Sequence, residues 1–190
     1  MINFRFAVKL PATSAPIKRA TAFGLYLAVA FGAGPAHAAL TQTDVLVAER
    51  VIGFVEKFGS GVMRVGIVVA PDSAQSVQDG NDLKALLSNQ VRAGDNLLQP
   101  ILVRPDQLAD ADVGLFFLTD GIGAAASKVA IVSKGRKITC ITFDITQVKN
   151  GTCTIGIQSR PKIEVVVNRK AAAESNTVFS SVFRLMITEY

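Results

Sequence analysis

Histidine is almost absent from this chain of 190 residues, and its single occurrence is His37. Residues 39–190 therefore have no imidazole for general base catalysis or metal binding, which excludes His-dependent triads and most zinc sites. The many serines lack both a G-x-S-x-G elbow and an evident activating base. We expect a protein that is not an enzyme and that has no cofactor and no metal.

The chain also has little that suits a membrane anchor. An apolar run at residues 20–34 follows basic residues, and it is shorter than the roughly 20 apolar residues that span a bilayer. Small side chains at Ala36 and Ala38 fit signal peptidase. An uncleaved anchor is the alternative. We predict a signal peptide at 1–38, cleaved after Ala38, and one periplasmic domain at 39–190 that does not insert into the membrane.

Basic residues barely outnumber acidic residues once this leader is removed. The whole chain has 20 Lys and Arg against 15 Asp and Glu, and the leader holds four of the basic residues and none of the acidic ones. Residues 39–190 thus have 16 against 15, a net charge of +1. Nucleic acid requires a concentrated basic face, so we expect no nucleic-acid partner. Arg136 and Lys137, the densest basic spot, are interpreted as a turn before a strand.

Only two cysteines are present, Cys140 and Cys153. An even count in an oxidising compartment favours a disulfide. The flanking segments, 138–143 and 152–158, have the composition of strands on either side of a polar turn, and a hairpin would bring the two side chains opposite each other. We predict a Cys140–Cys153 disulfide, and the alternative is two buried free thiols.

Helix-like and strand-like patterns alternate along residues 41–143. Apolar residues at three- and four-residue steps or in Ala-rich runs predict helices. Short β-branched or apolar runs predict strands. The predicted helices are 41–58, 79–90 and 122–133, and the predicted strands are 62–69, 100–103, 113–118 and 138–143. This alternation with short connections is typical of a doubly wound α/β domain.

The C-terminal region changes this pattern. Residues 154–158 and 162–167 are joined by a short Ser-Arg-Pro segment, which predicts an antiparallel hairpin. Two further helices are predicted at 168–175 and 180–187. The predicted fold class is α/β, a single-domain three-layer αβα sandwich with a mostly parallel mixed sheet and an antiparallel C-terminal hairpin.

Polar and glycine residues follow the predicted parallel strands, at the edge where ligands collect in doubly wound sheets. We take these residues as a candidate small-molecule crevice: Asp72, Arg104, Asp120, Gly121 and Gly123. Gly121 also opens a G-x-G-x-x-A pattern, which is typical of a pyrophosphate cradle. However, the pattern follows the third strand rather than the first, and a small-residue helix start also allows close packing.

The tail, residues 162–190, reads KIEVVVNRKAAAESNTVFSSVFRLMITEY and resembles the YfiR-like family of secreted bacterial proteins. The family's tail has a strand ending in Asn, an Ala-rich helix, a short turn, a Ser-Ser pair and an apolar helix. The matching residues are Asn168, Ala171, Ala172, Ser180, Ser181 and Leu185. The family's turn glycine is Asn176 here, a residue type that tolerates the left-handed conformation.

This resemblance implies a periplasmic regulator. Family members restrain an inner-membrane diguanylate cyclase by binding its periplasmic sensor domain, which lowers cyclic-di-GMP signalling and biofilm formation. Aromatic and Met side chains often anchor interfaces, so we take four residues as a candidate partner surface: Phe179, Val182, Phe183 and Met186. Core packing of the last helix is the alternative. A homodimer is a further possibility, and a periplasmic small-molecule binder that uses the crevice is the competing function.

Overall fold

The computed structural model describes residues 40–190, so the predicted leader and its cleavage site lie outside the described residues. In chain order the elements are α1 (Gln42–Gly53), β1 (Gly61–Val68), α2 (Ala74–Leu87), β2 (Arg92–Ala93), β3 (Asn96–Val103), β4 (Leu115–Leu118), α3 (Ala125–Arg136), β5 (Thr139–Thr142), α4 (Ile145–Lys149), β6 (Ile155–Gln158), β7 (Glu164–Val167), α5 (Arg169–Glu174), α6 (Ser181–Arg184) and β8 (Thr188–Glu189). No helix within this part of the chain is both long and apolar enough to cross a bilayer.

All eight strands form one sheet in the order β2-β3-β1-β4-β5-β6-β7-β8. Strands β3, β1, β4, β5 and β6 are parallel, β7 is antiparallel to β6, and β8 is parallel to β7. The chain runs from β1 outward to β3 and then returns to place β4 on the other side of β1. This is a doubly wound order with its switch point between β1 and β4, and the predicted fold class is confirmed.

The sheet separates two hydrophobic cores. In β4 all four side chains are buried, and Phe116 and Phe117 lie in different cores because successive strand side chains point to opposite faces. The Phe117 core is covered by α1 and α2, and the Phe116 core by α3 and α4. A Cβ at Gly80 would overlap the Val69 side chain, so the glycine lets α2 lie close against the sheet.

The disulfide is present, but it does not arise from a hairpin. Strands β5 and β6 are parallel neighbours, with Ile141 opposite Ile155, and α4 crosses between them. Cys153 lies just before β6 and beside Cys140, with their Cα atoms 4.8 Å apart and both side chains fully buried. The predicted disulfide is confirmed, and the hairpin predicted between residues 138–143 and 152–158 is wrong.

Several predicted helix ends are displaced. Helix α1 ends at Gly53 rather than at residue 58, because Val55 pairs with Phe179 in an isolated bridge. Helix α3 runs past Gly135 to Arg136, and Lys137 adopts the left-handed conformation that ends it, with φ 58°.

The C-terminal segment also differs from the prediction. The expected helix at 180–187 is a single turn, Ser181–Arg184, because the chain then extends as β8 along β7. The helix expected at 168–175 is present as α5, and Asn168 caps it by accepting a hydrogen bond from the Ala171 N–H at 2.9 Å. Asn176 has φ 51°, so it adopts the left-handed conformation that this residue type tolerates.

Candidate functional site

A pocket of about 210 Å³ opens at the carboxyl ends of β4, β5 and β6. The start of α1 and the middle of α2 form its other walls, and Leu83, Leu118, Phe143 and Ile157 provide apolar lining. Its charged side chains are Asp44, Asp79, Asp120 and Arg160. We call this site the carboxylate pocket and define it by those four residues.

Asp44 is the most constrained of these groups. It lies in the first turn of α1, is 4 % exposed, and accepts hydrogen bonds from the Thr41 N–H at 2.6 Å and the Thr41 hydroxyl at 2.7 Å. The Ser159 hydroxyl also donates to it, and an Arg160 Nη2 lies 3.5 Å away. Burial alone raises the pKa of the Asp44 carboxyl, but these donors outweigh burial and hold the pKa below its usual value.

Asp44→Asn is expected to lower the free energy of unfolding at neutral pH by about 1–3 kcal/mol, because the new amide group directs donors at Thr41 and Ser159. The wild-type pKa is depressed on folding, so the contribution of the carboxylate is present above the usual carboxyl pKa of about 3.9 and is lost as pH falls through the folded pKa. Urea unfolding at several pH values measures this. The gap between wild type and variant should shrink below about pH 4, and a gap that does not change with pH would contradict the assignment.

The other two carboxylates face the same space. Asp79 on α2 is 8 % exposed and accepts a hydrogen bond from Gln75 Nε2 at 2.7 Å. Asp120 follows β4 and is half-buried. Among residues 40–190, three carboxylates and one guanidinium therefore line the pocket, and such a lining favours an amine or another cationic group on a ligand.

Of the five residues predicted to form a crevice, only Asp120 lines this pocket. Asp72 is exposed, and Arg104 is exposed and pairs with Asp106 at 3.1 Å. Gly121 and Gly123 lie in the turn before α3, with φ 65° and 56°. The pocket therefore lies at the predicted edge of the sheet, and four of the five predicted residues lie outside its lining.

The switch point itself is closed by side chains, which explains this difference. The Ser76 and Thr119 hydroxyls share a hydrogen bond of 2.6 Å, and Ser76 Oγ also accepts from the Ala70 N–H at 2.8 Å. A Cβ at Gly121 would lie 2.7 Å from Ser73 Oγ, so the turn packs directly on the start of α2. The open space is consequently displaced toward β5 and β6.

The predicted partner surface is only partly on the surface. Phe179 and Phe183 are 5 % and 3 % exposed and belong to the Phe117 core, which corrects their assignment as surface anchors. Val182 and Met186 are exposed, and so is Leu185, at 89 %. We call Val182, Leu185 and Met186 the α6 surface.

Three of the four charged residues of the carboxylate pocket, Asp44, Asp79 and Arg160, are not among the residues predicted from the sequence. Asp44 belongs to a Thr-x-x-Asp pattern at the start of a helix, a capping signal that explains its position but not its pocket. Arg160 lies in the predicted hairpin turn, and it meets α1 only when β6 is placed beside β5. Among residues 40–190, no cluster of three or more His, Cys, Asp or Glu is arranged to hold a metal ion.

The fold and the pocket define a doubly wound α/β domain with a recess at the carboxyl edge of its sheet. No protein-family model matches the chain, and no curated protein matches it. Among solved structures, it is similar to a conserved domain protein from Vibrio cholerae O1 biovar El Tor, with 11 % identity and a TM-score of 0.56 over 80 % of this chain and 61 % of that one.

Two further structures show the same fold. One is the ABC domain in complex with L-Trp from Streptococcus pneumoniae, with 11 % identity and a TM-score of 0.54 over 78 % of this chain and 60 % of that one. The other is the ligand-free, open form of a substrate-binding protein with adhesive properties from Clostridium difficile. It has 10 % identity and a TM-score of 0.50 over 67 % of this chain and 54 % of that one. The chain thus spans 54–61 % of the length of these three proteins, which share its fold.

Proposed function

We propose that this chain is a periplasmic binding protein that acts by stoichiometric contact, without catalysis of its own. Its partner is the periplasmic sensor domain of an inner-membrane diguanylate cyclase, which it restrains, so that cyclic-di-GMP signalling and biofilm formation fall. The observation that carries this proposal is the α6 surface, three apolar side chains held in solvent. The resemblance of residues 162–190 to the YfiR-like family supports the class of partner.

The α6 surface has the properties of an interface anchor. Val182 lies in α6, and Leu185 and Met186 follow it in a turn in which the Leu185 N–H donates to the Val182 carbonyl at 3.3 Å; their exposed fractions are 64 %, 89 % and 59 %. Phe183, between them in sequence, points into the core and stacks on Phe54, with ring centroids 4.9 Å apart. A rigid support beneath exposed apolar side chains lets a partner bind without first ordering them.

The chemistry available in the described chain supports a role without catalysis. Residues 40–190 contain no histidine, and the Asp44 carboxylate is engaged by Thr41, Ser159 and Arg160. A carboxylate whose pKa is held low is a poor general base near neutral pH.

The double variant Leu185→Ser with Met186→Ser is expected to abolish capture of the partner, because side chains that act as hot spots at the centre of an interface cost about 2 kcal/mol or more when truncated. The measurement is pull-down from envelope extracts with residues 39–190 as bait, followed by affinity measurement against the recovered sensor domain. The unfolding midpoint of the variant should match that of the wild type, since both side chains are already in solvent.

Ile131→Ser is the matched control for this variant. Ile131 is 71 % exposed on α3, on the other side of the sheet, and its replacement should leave capture unchanged. Recovery of no membrane protein with a periplasmic sensor domain, or equal loss with Ile131→Ser, would contradict the proposal.

The carboxylate pocket favours a second function, binding of a small cationic molecule. Its volume of about 210 Å³ is below the roughly 300–1,000 Å³ of pockets for drug-sized ligands, so it suits a small amine. Calorimetric titration with a panel of primary amines and their uncharged alcohol counterparts tests this function. Saturable binding of an amine that is lost in Asp79→Asn supports it, and equal responses to amine and alcohol count against it.

A further inference from the structure

A second concave site lies at the opposite, amino-terminal edge of the sheet. It is a groove of about 540 Å³ formed by the segment before β1, the start of β4 and the end of α3. Its charged side chains are four cations and one carboxylate: Lys57, Arg64, Arg136, Lys137 and Asp112. We call it the basic groove. The fold therefore brings Lys57 and Arg64 beside the Arg136-Lys137 pair that looks isolated in the sequence.

Backbone carbonyls hold three of these cations in place: Lys57, Arg136 and Lys137, whose Nζ donates to the Glu174 carbonyl oxygen at 2.8 Å. Lys57 Nζ donates to the carbonyl oxygens of Lys137 at 2.8 Å and Ser175 at 2.9 Å. Arg136 Nη1 donates to those of Leu108 at 3.0 Å and Ala111 at 2.7 Å. These acceptors are neutral, so they fix the cations without cancelling their charge.

The single carboxylate of the groove does not balance this charge. Asp112 pairs with Arg64 at 3.0 Å, and both side chains are largely in solvent, where an ion pair is weak. Among the hydrogen bonds of the described residues, Arg136 uses only Nη1, which leaves its Nε and Nη2 donors for a ligand.

The floor of the groove is apolar. Met63, Val113 and Ile138 are buried beneath it, and Phe58 is half-buried at its side, with Lys57 Nζ 5.8 Å from the ring centroid. Cations around an apolar floor match a ligand that has an anionic group and an apolar body.

We propose that the basic groove binds a small organic anion, in which a carboxylate or phosphate faces Arg64, Arg136 and Lys57 while an apolar ring or chain covers Met63 and Ile138. The volume lies within the range of small-molecule pockets, and anchored cations need no reordering when the anion arrives. This site is separate from both the α6 surface and the carboxylate pocket.

The Lys57 ammonium gives the site a pH dependence. Burial lowers the pKa of Lys57 to about 8, and a bound anion would raise it again. The other charged groups around Lys57 are Arg64, Arg136, Lys137 and Asp112, which line the same groove, and Glu174, which precedes the Ser175 carbonyl that accepts from the ammonium. The anion should therefore bind more tightly at pH 7 than at pH 9, because Lys57 loses its proton across this interval.

Calorimetric titration at low ionic strength tests the proposal with benzoate, phenyl phosphate and the uncharged benzyl alcohol as probes. We expect saturable binding of at least one anion and none of the alcohol, and the tighter anion identifies the preferred head group. Arg64→Gln and Arg136→Gln should each weaken binding about tenfold, as expected for loss of one charge-assisted hydrogen bond. Arg64 is exposed, so its variant should fold even if replacing Arg136 destabilises the end of α3.

Lys84→Gln on the exposed face of α2 is the control, and it should bind as the wild type does. The proposal is overturned if the alcohol binds as well as the anions, if Arg64→Gln has no effect, or if Lys84→Gln loses as much affinity. Binding that is equally strong at pH 7 and pH 9 would show that the Lys57 ammonium does not contact the anion.

Discussion

Removal of the Cys140–Cys153 disulfide is expected to lower the free energy of unfolding by about 3 kcal/mol in the chain-entropy model. The bridge closes a short loop, with a sequence separation of 13 residues, and ties β5 to the entry of β6. For a domain of this size, such a loss corresponds to a fall in melting temperature of about 6–12 °C. Both sulfur-bearing side chains are fully buried, so the effect should be seen on the whole sheet rather than on a local loop.

The double variant Cys140→Ala with Cys153→Ala measures this contribution in urea unfolding with and without a reducing agent. Reduction should lower the stability of the wild type toward that of the variant and leave the variant unchanged. Two titratable thiols in the wild type without reducing agent would show that the bridge is absent. An unfolding midpoint that reduction does not change would show that the bridge contributes nothing to stability.

The disulfide was predictable although the surrounding topology was not. The compartment and the even count of cysteines favour a bridge however β5 and β6 connect, whereas the hairpin that served as a further argument was wrong. The connection was predicted wrongly because α4 has only five residues, Ile145–Lys149, too few to show a helical period. The polar residues around it therefore looked like a turn between antiparallel strands.

The candidate sites show a similar division between local and long-range information. The carboxyl edge of the sheet was predictable, because every parallel strand of a doubly wound fold ends there. The pair of Asp44 with Arg160 was not, because the two residues are 116 positions apart and meet only across α1 and the β6–β7 turn. The closure of the switch point was also hidden, since Ser76 and Thr119 are ordinary residues until α2 is placed on β1.

The C-terminal segment shows why periodicity alone misplaces surface residues. Its apolar residues fit a helix from 180 to 187, and that spacing does not say which residues lie inside. The chain instead makes one turn and then pairs with β7, so Phe183 points inward while its neighbours Val182 and Leu185 point out. The burial of Phe179 follows from its bridge to Val55, which no local pattern predicts.

Phe183→Ala is expected to lower the free energy of unfolding by about 3–5 kcal/mol, the usual cost of truncating a buried phenylalanine. The ring is 3 % exposed and contacts Phe54 and Phe179, with centroid distances of 4.9 Å and 5.4 Å. Its loss leaves a cavity between α1 and the C-terminal segment, and the antiparallel bridge beside it limits how far the chain can collapse. Urea unfolding followed by circular dichroism measures the change.

Leu185→Ala is the matched control, because the two residues are two positions apart and differ chiefly in burial. Leu185 is 89 % exposed, so its truncation should change the free energy of unfolding by less than about 0.5 kcal/mol. The same variant should weaken partner capture, so stability and binding separate on neighbouring side chains. Similar losses of stability for both variants would mean that Leu185 packs against the domain and that the α6 surface does not exist as described.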